Sequence, residues 1–475
     1  AYEDSPTAPT PPDPPPMERR LVDRVKVRYH NSTNLSSPLA FGGVDARGLV
    51  YQSYRLDLTD DLLEHHVLDA KITSTLLDEG GYEPLDGEDG YWIPSGTSTL
   101  QPARFFIPTK FQDPFGNETE LTYDDHDFLV IKLKDPLLNE VTSEHDYRLL
   151  VPWQITDINE NRVQAAFDAL GRVKEVAVMG KDGDSDGDIL TNATQEFLYV
   201  TNAWSADPPR PNYVRARARK EHGGTPDWQE SYVYSDGSGR VAMTKIQAEP
   251  GLAPELDENG NVVVVDDEVQ MEEADPRWVG TGRAVLNNKG NPVKQYEPFF
   301  SSTHEYETDE NLVHWGVTPI IHYDPIGRPV RVDLPHGSYT KTEYGVWKTK
   351  AWDENDTLDD EDNEWRKARE TLSTSSPERV AYDQAAEHAG TPTSTYVDPL
   401  GRAFLAVAHN IDDEEDDEFI ATRTKLDIEG HPLSVTDPLE RVCQTHAFSI
   451  GGQLLIDSNI DKGWRHMVST VLGEP

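Results

Sequence analysis

The fold is decided between residues 113 and 172, where the chain reads Asp113-Pro-Phe-Gly-Asn117, Asp124-Asp-His-Asp127, Asp135-Pro-Leu-Leu-Asn139, Asp146-Tyr-Arg148, Asp157-Ile-Asn-Glu-Asn161 and Asp168-Ala-Leu-Gly-Arg172. Successive leading aspartates are 11 residues apart, five times running. Short apolar or alternating runs lie between them, as in Phe128-Leu-Val-Ile-Lys-Leu133. A fixed short period indicates a repeat architecture, and it outweighs any single motif.

Each aspartate predicts the first position of a tight turn. Its side chain can accept hydrogen bonds from backbone N–H groups two residues further on, and Gly or Asn suits the fourth position, where the backbone often needs a positive φ. The spacing leaves room for strands of about six or seven residues between turns. The sequence therefore predicts an all-β fold, a meander of antiparallel strands joined by hairpin turns.

The same turn motif recurs at wider intervals after residue 173. It starts at Asp236, Asn287, Asp324, Asp398, Asp427 and Asp437. We expect the Arg that follows the Gly to pair with an acid of a neighbouring repeat, because a buried guanidinium needs such a partner. The predicted structural turn residues are Asp113, Gly116, Asp168, Gly171, Arg172, Asp324, Gly327, Arg328, Asp398, Gly401 and Arg402.

The chain divides into three predicted regions. Residues 1–20 hold seven prolines and predict an extended linker. Residues 21–110 predict a β-rich segment with one helix at 59–70, capped by Thr59 or Asp60. Residues 111–475 predict the repeat array, interrupted by a helical insertion at about 353–390, in which Ser376-Pro377-Glu378 is a helix start signal.

The charge balance is strongly acidic. The chain has 86 Asp and Glu against 43 Lys and Arg, a net charge of −43. Nucleic acid is therefore excluded as a partner of the whole chain, because phosphate binding needs a cationic surface. Excess acid with scarce Lys is typical of a protein that stays soluble at high salt, and an ordinary acidic secreted protein is the alternative. The acidic run 412–418 predicts a solvated loop tip.

The single cysteine, Cys443, allows no internal disulfide and no thiolate zinc site. The sequence contains no apolar run of about 18 residues, so no transmembrane helix is expected. It starts with Ala-Tyr-Glu and has no signal peptide, so we expect it to be a piece of a longer polypeptide.

The most specific small motif is Asp182-Gly-Asp184-Ser-Asp186-Gly-Asp188-Ile189. It follows the start of a calcium loop, with acids at positions 1, 3 and 5 and Gly at position 6. Position 12 is Ala193 where a bidentate acid is needed, and helical flanks are not expected. Calcium binding by Asp182, Asp184, Asp186 and Asp188 is one hypothesis, and a plain acidic insertion between strands is the other. No cofactor other than calcium is expected.

The sequence contains little that indicates catalysis. Ser238 lies in Asp236-Gly-Ser-Gly239, which does not form the G-x-S-x-G nucleophile elbow, and the sequence contains no H-E-x-x-H metal motif. Carboxylate pairs are too frequent in so acidic a chain to single out a glycosidase pair. We therefore expect a protein without enzymatic activity, and the alternative is a polysaccharide-cleaving enzyme.

Three turns resemble the YD repeat of Rhs proteins: Phe167-Asp-Ala-Leu-Gly-Arg172, Tyr323-Asp-Pro-Ile-Gly-Arg328 and Val397-Asp-Pro-Leu-Gly-Arg402. Longer stretches, such as Trp92-Ile-Pro-Ser-Gly96 and the run 281–300, resemble the repeat-bearing part of the B component of bacterial toxin complexes. This resemblance extends from about residue 17 to the end. It implies a spiralling antiparallel β-sheet that forms part of a hollow shell, with small helical insertions.

The family's properties set further expectations. The resemblance implies a shell segment that encapsulates and helps deliver a toxic C-terminal cargo, and a secreted or extracellular location. Its partners would be a C-component-like Rhs protein or the toxin cargo, and a flanking β-propeller region of the same polypeptide. The family's self-cleavage motif is Asp-Pro-x-Gly-Leu, whereas Gly-Arg follows Asp324 and Asp398, so cleavage is not expected here. The alternative is a secreted or surface β-repeat adhesin or carbohydrate-binding module, with calcium as an optional ligand.

Overall fold

A computed structural model describes residues 21–64, 72–206, 209–223, 225–258, 260–266, 268–411 and 416–474. The predicted linker 1–20, the end of the predicted helix 59–70, and residues 412–415 of the acidic run lie outside the described residues. Antiparallel β-strands dominate the secondary structure of the described chain, and helices are few, as the turn spacing predicts.

The larger of two long sheets has 14 described strands, ordered β25-β22-β17-β16-β15-β14-β13-β12-β11-β10-β9-β8-β7-β6. From β6 to β17 each strand is hydrogen-bonded to the next in sequence, which makes a meander. The strands are β6 (Thr97–Gln101), β7 (Ile107–Gln112), β8 (Glu118–Tyr123), β9 (Val130–Lys134), β10 (Glu140–Asp146), β11 (Val151–Thr156), β12 (Arg162–Phe167), β13 (Val173–Met179), β14 (Gln195–Val200), β15 (Asn212–Arg219), β16 (Trp228–Ser235), β17 (Val241–Ala248), β22 (Arg277–Thr281) and β25 (Phe299–Ser301).

The second long sheet has 13 described strands, in the order β23-β24-β26-β27-β28-β29-β30-β31-β32-β33-β34-β35-β36. The strands are β23 (Ala284–Leu286), β24 (Pro292–Gln295), β26 (Ile320–Tyr323), β27 (Pro329–Asp333), β28 (Tyr339–Tyr344), β29 (Lys348–Trp352), β30 (Thr393–Val397), β31 (Ala403–Ile411), β32 (Asp417–Leu426), β33 (Pro432–Thr436), β34 (Val442–Phe448), β35 (Leu454–Asn459) and β36 (Gly463–His466).

Smaller sheets and short helices complete the described chain. A five-stranded sheet has the order β2-β1-β3-β5-β4, and two ribbons pair β18 with β21 and β19 with β20. These strands are β1 (Val25–Asn31), β2 (Asn34–Pro38), β3 (Val50–Leu58), β4 (Glu83–Pro84), β5 (Tyr91–Pro94), β18 (Gly251–Pro254), β19 (Val264–Val265), β20 (Glu268–Val269) and β21 (Met271–Ala274). The α-helices are α1 (Asp60–Leu62), α2 (Ser74–Glu79), α3 (Asp309–Leu312), α4 (Glu364–Lys367) and α5 (Pro377–Ala386).

The helices begin where capping residues permit. Thr59 caps α1, and Ser376 caps α5, which has Pro377 at its first position. The described part of α1 is short. Helix α2, which Thr73 caps, was not predicted from the sequence. Both α4 and α5 lie within the predicted insertion at 353–390.

By their packing the described residues form two compact units, one within 119–423 and the other within 21–118 and 424–474. In the first of these units, an aromatic cluster supplies the core, with Tyr234, Trp278 and Phe299 among its buried members. The same unit buries an ion pair between Lys245 and Glu307. Burial lowers the pKa of Lys245 and raises the pKa of Glu307. Each charged form is therefore stabilised by its partner's opposite charge and not by water.

The other unit joins segments that are almost 400 residues apart in sequence. Asp57 at the end of β3 is buried, and its Oδ1 accepts hydrogen bonds from Ser449 Oγ at 2.7 Å and from the Gly451 backbone N–H at 3.0 Å. Leu58 packs in the same core as Leu455. A buried carboxylate with these donors fixes the turn after β34 against the end of β3.

Candidate functional site

The repeat aspartates lie at tight turns that they stabilise with their own side chains. Asp168 Oδ1 accepts hydrogen bonds from the backbone N–H groups of Leu170 at 2.9 Å and Arg172 at 3.0 Å. The Gly171 N–H donates to the Asp168 carbonyl, and the Asp168 N–H donates to the Arg172 carbonyl. This is a type I turn followed by a left-handed residue and a β-bulge, the arrangement that joins strands through a short loop. The same pattern occurs at Asp113-Gly116, Asp324-Gly327-Arg328 and Asp398-Gly401-Arg402.

The turn hydrogen bonds keep the aspartates ionised. The backbone N–H of Arg172 and then its guanidinium hold the pKa of Asp168 below the ordinary value, and the corresponding arginines do so at Asp324 and Asp398. At Asp124, the Tyr147 hydroxyl donates to Oδ2 at 2.7 Å and lowers the pKa to about 2. These carboxylates accept hydrogen bonds from their own turns, and Asp124 also accepts one from Tyr147, which suits a structural role.

The fourth turn position differs from the expectation of Gly or Asn. It has a positive φ at Gly116 and Gly171, and also at Asp127, Leu138 and Glu160. The predicted positive φ is thus present at these positions, and in the Asp146 turn it lies one residue later, at Leu150. The preference for Gly or Asn fails at Asp127, Leu138 and Glu160. The Asp side chain makes enough hydrogen bonds to hold a residue with a Cβ in the left-handed region.

The expectation that the turn arginines pair with acids of neighbouring repeats is wrong. Arg172 pairs with Asp168 of its own turn at 2.7 Å, and Arg240, Arg328, Arg402 and Arg441 do the same. The reason is geometric, since the fifth position points the guanidinium back at the first. Arg148 does connect turns, because it donates to the carbonyls of Asp168 and Ala169.

Tyrosines on neighbouring strands make a second link to the turns, and the sequence analysis missed it. The Tyr199 hydroxyl donates to the Val173 carbonyl at 2.9 Å, while the Arg172 guanidinium lies 4.3 Å from the centre of the Tyr199 ring. Tyr344 makes the same pair of contacts with the Pro329 carbonyl and Arg328. The spacing between turn and tyrosine is irregular in sequence, so no period could reveal it.

The loop with the calcium-like spacing has an arginine at its base. Arg162 donates to the Gly180 carbonyl at 3.2 Å, to the Lys181 carbonyl at 3.0 Å and to Asp182 Oδ1 at 2.7 Å. The guanidinium thus neutralises oxygens of the kind that would ligate a cation. Among the described residues, no three of Asp182, Asp184, Asp186 and Asp188 bring ligand atoms within 4.8 Å of one another. Calcium binding by this loop stays a prediction.

Asp188 is set apart from the other loop acids by its burial. Its Oδ2 accepts from Thr194 Oγ1 at 2.9 Å and lies 2.9 Å from His222 Nδ1, and its Oδ1 accepts from the Gly223 N–H at 3.2 Å. Burial alone would raise its pKa, but the hydrogen bonds from His222, Gly223 and Thr194 outweigh burial and lower it. Asp188 is therefore an ionised acceptor that orients His222.

A cavity of about 350 Å³ adjoins this loop. Its apolar lining comes from Ile155, Val163 and Val178, which are register neighbours on β11, β12 and β13. Arg162 and His222 line the same cavity. The volume falls in the lower part of the range of small-ligand pockets, about 300–1,000 Å³.

Two other polar clusters resemble sites but lack the geometry. Asp427, Glu429 and His431 gather ligand atoms within 4.8 Å, yet all belong to one turn in which Asp427 accepts the backbone N–H groups. Ser338 Oγ and Glu354 Oε2 both contact Nε2 of His336, at 2.7 and 2.8 Å. A serine triad needs its acid on the opposite ring nitrogen, so this cluster is not one.

The sheet around the cavity has one apolar and one polar face. Leu133, Ile155, Val163 and Val178 share a face and are 38–43% exposed. The other face carries a row of cross-strand partners, Thr122, Lys132, Thr142, Thr156 and Arg162. Among the described residues of the unit 119–423, none covers this apolar face as the second sheet of a sandwich would.

The fold and these turns define an all-β antiparallel repeat protein, and comparison with solved structures makes the class more specific. A structure of TcdB2-TccC3 matches 96% of this chain with a TM-score of 0.78 and 23% sequence identity. The Photorhabdus luminescens Tc holotoxin pore matches 96% with a TM-score of 0.77 and 21% identity. The chain thus has the fold of toxin-complex structures, which confirms the predicted fold.

The matched chains are much longer than this one. The chain spans 23% of the matched TcdB2-TccC3 chain and 24% of the matched holotoxin chain. No protein-family model matches the sequence, and no curated protein matches it either. Among the described helices, none has the length and apolar character needed to cross a membrane.

Proposed function

We propose that this chain is a structural wall segment of a shell that encloses a toxic polypeptide and helps deliver it. The observation that carries the proposal is the likeness, over 96% of the chain, to TcdB2-TccC3 and to the Tc holotoxin pore. The segment would work with a C-component-like Rhs protein or the toxin cargo, and with a flanking β-propeller region of its own polypeptide, in a secreted or extracellular complex. The role is confinement and needs no catalysis.

The two-faced sheet supports this role. A wall around an unfolded chain needs one face towards solvent and one towards the cargo. The apolar face with Leu133, Ile155, Val163 and Val178 would face the enclosed space, where an unfolded polypeptide exposes apolar side chains. The polar face would then meet water. An adhesin or lectin would instead concentrate aromatic side chains and paired acids in a cleft.

Adjacent residues on β12 offer a matched test of this orientation. Val163 lies on the apolar face and Gln164 on the polar face, so Val163→Glu and Gln164→Glu place the same charge on opposite sides. The chain is co-expressed with a C-component-like partner and its cargo, and protease resistance of the cargo is measured. We expect V163E to reduce the protected cargo several-fold and Q164E to leave it near the wild-type level.

The melting temperature of each variant is measured as well, so that a loss of cargo protection can be separated from a loss of folding. Val163 is 43% exposed, so its replacement should shift the melting temperature little. If the wild-type chain forms no complex with enclosed volume, the confinement role is wrong. Equal effects of the two variants would overturn the assignment of faces.

A further inference from the structure

We propose that the cavity beside the Asp182–Asp188 loop binds an aromatic side chain that carries a hydrogen-bond donor, a tyrosine or tryptophan of an unfolded polypeptide. This inference rests on the proposed confinement role and names one way in which the wall would hold its cargo. The lining of the cavity and the orientation of His222 support it.

The lining explains the preference for an aromatic body. Ile155, Val163 and Val178 offer a continuous apolar surface across three strands, and each is about two-fifths exposed. A flat ring can cover all three, which removes apolar area from water at little cost in conformational freedom. A volume of about 350 Å³ accommodates one such side chain.

His222 explains the preference for a donor. The buried carboxylate of Asp188 can only accept, so Nδ1 of His222 carries the hydrogen in their 2.9 Å contact. In the neutral ring Nε2 is then an acceptor, and among the described residues no hydrogen-bond partner is found for it. The hydrogen bonds of Thr194 and Gly223 to Asp188 fix this arrangement before a ligand arrives.

Charge argues against other ligands. The Asp157 carboxylate in the lining already accepts from the N–H groups of Asn159 and Asn161, so it offers less to a cation. The acidic character of the whole chain disfavours an anion. A neutral O–H or N–H donor on an aromatic ring satisfies all of these conditions.

The probes are N-acetyl-tyrosinamide, N-acetyl-tryptophanamide and N-acetyl-phenylalaninamide, titrated into the full chain and followed by ligand-observed NMR. We expect the tyrosine and tryptophan probes to bind five- to ten-fold more tightly than the phenylalanine probe, which cannot donate to Nε2. Val163→Trp fills the cavity and should abolish saturable binding of all three. His222→Phe should remove the discrimination while phenylalanine binding persists.

Control variants distinguish binding in the cavity from non-specific binding and from misfolding. Val241→Trp adds the same ring at a 61% exposed position outside the cavity lining, and it should bind the probes like wild type. Melting curves of the variants verify folding. If H222F unfolds because Asp188 loses its partner, V163W still tests the cavity, since it leaves the contacts of Asp188 in place. Absence of saturable wild-type binding, unchanged binding in V163W or undiminished discrimination in H222F would each overturn the proposal.

The result is also distinguishable from failure of the proposed function. Probe binding uses the chain alone, whereas cargo protection requires the partner. Binding without any protected cargo would overturn the confinement role and retain the aromatic site. Protected cargo without probe binding would overturn the aromatic site alone.

Discussion

At the scale of single residues, the turns show how side-chain hydrogen bonds overcome backbone strain. Leu138 and Glu160 occupy the left-handed region with φ of 69° and 68°. An L-residue with a Cβ costs about 1–2 kcal/mol there. The Asp at the first position offsets this cost, because Asp135 and Asp157 each accept two backbone N–H groups.

Leu138→Gly should therefore stabilise the chain. Glycine removes the strain but loses some stability through the greater freedom of the unfolded chain, which leaves a net gain of about 0.5–1 kcal/mol. The side chain is 69% exposed, so little burial is lost. The comparison is Leu137→Gly, an 82% exposed neighbour without positive φ, which should be neutral or destabilising. Thermal melts of both variants measure the difference, and a lower melting temperature for L138G would contradict the strain argument.

The same residue scale limits what sequence alone can predict. The acid spacing of Asp182 to Asp188 predicted a cation site, but the sequence contains no signal that Arg162, 20 residues earlier, would reach three of the loop's oxygens. Nor did it single out His222, which meets Asp188 only through the pairing of β14 with β15 and the loop beyond. Long-range partners of this kind follow from tertiary structure and not from local pattern.

At the scale of the element, the hairpin was predictable because its signals are local. The 11-residue period combines a strand, a type I turn and a bulge, all encoded within a few residues. Sequence reasoning did miss the turns Leu334–Ser338 and Ser449–Gln453, whose first residues are not Asp or Asn. Gly337 and Gly452 at their fourth positions were the remaining signal.

Acid should weaken the hairpin between β8 and β9 through Asp124. Its pKa is lowered to about 2 in the folded chain, chiefly by the Tyr147 hydroxyl, below the ordinary value of 3.8. A group with a depressed folded pKa stabilises fully above its unfolded pKa, and that contribution is lost as the pH falls through the folded pKa. The stabilisation is thus complete above about pH 4 and is lost towards pH 2.

Asp124→Asn tests this linkage. Asn keeps a side-chain oxygen that can accept from the Phe128 N–H, but it does not titrate. Asn287 already plays this acceptor role at another turn. We expect the melting temperature of wild type to fall more than that of D124N between pH 4 and pH 2. Tyr147→Phe is the companion variant, since it should shift the loss to higher pH. Parallel acid curves for wild type and D124N would refute the role of Asp124.

At the scale of the whole molecule, long-range contacts decide what the local pattern leaves open. The contact of Asp57 with the turn at Ser449 joins sequence positions 392 residues apart. No period or composition indicates that the β-rich segment after residue 20 and the last strands form one compact unit. The fold class was therefore predictable from turns, whereas the joining of distant segments into one unit was not.

The net charge of −43 is also a property of the whole molecule, and it predicts how stability depends on salt. Like charges repel most strongly in the compact state, and screening shortens their range from about 10 Å at 0.1 M to about 3 Å at 1 M salt. We expect the melting temperature to rise by several degrees between 0.1 and 1 M KCl. A halophilic chain should gain further stability above 1 M, whereas an ordinary acidic protein should reach a plateau once its charges are screened. Potassium sulfate at equal ionic strength is the control, because a much larger rise with sulfate would indicate preferential exclusion of the salt rather than screening. A melting temperature that is flat or falls as KCl is added would show that self-repulsion does not limit this fold.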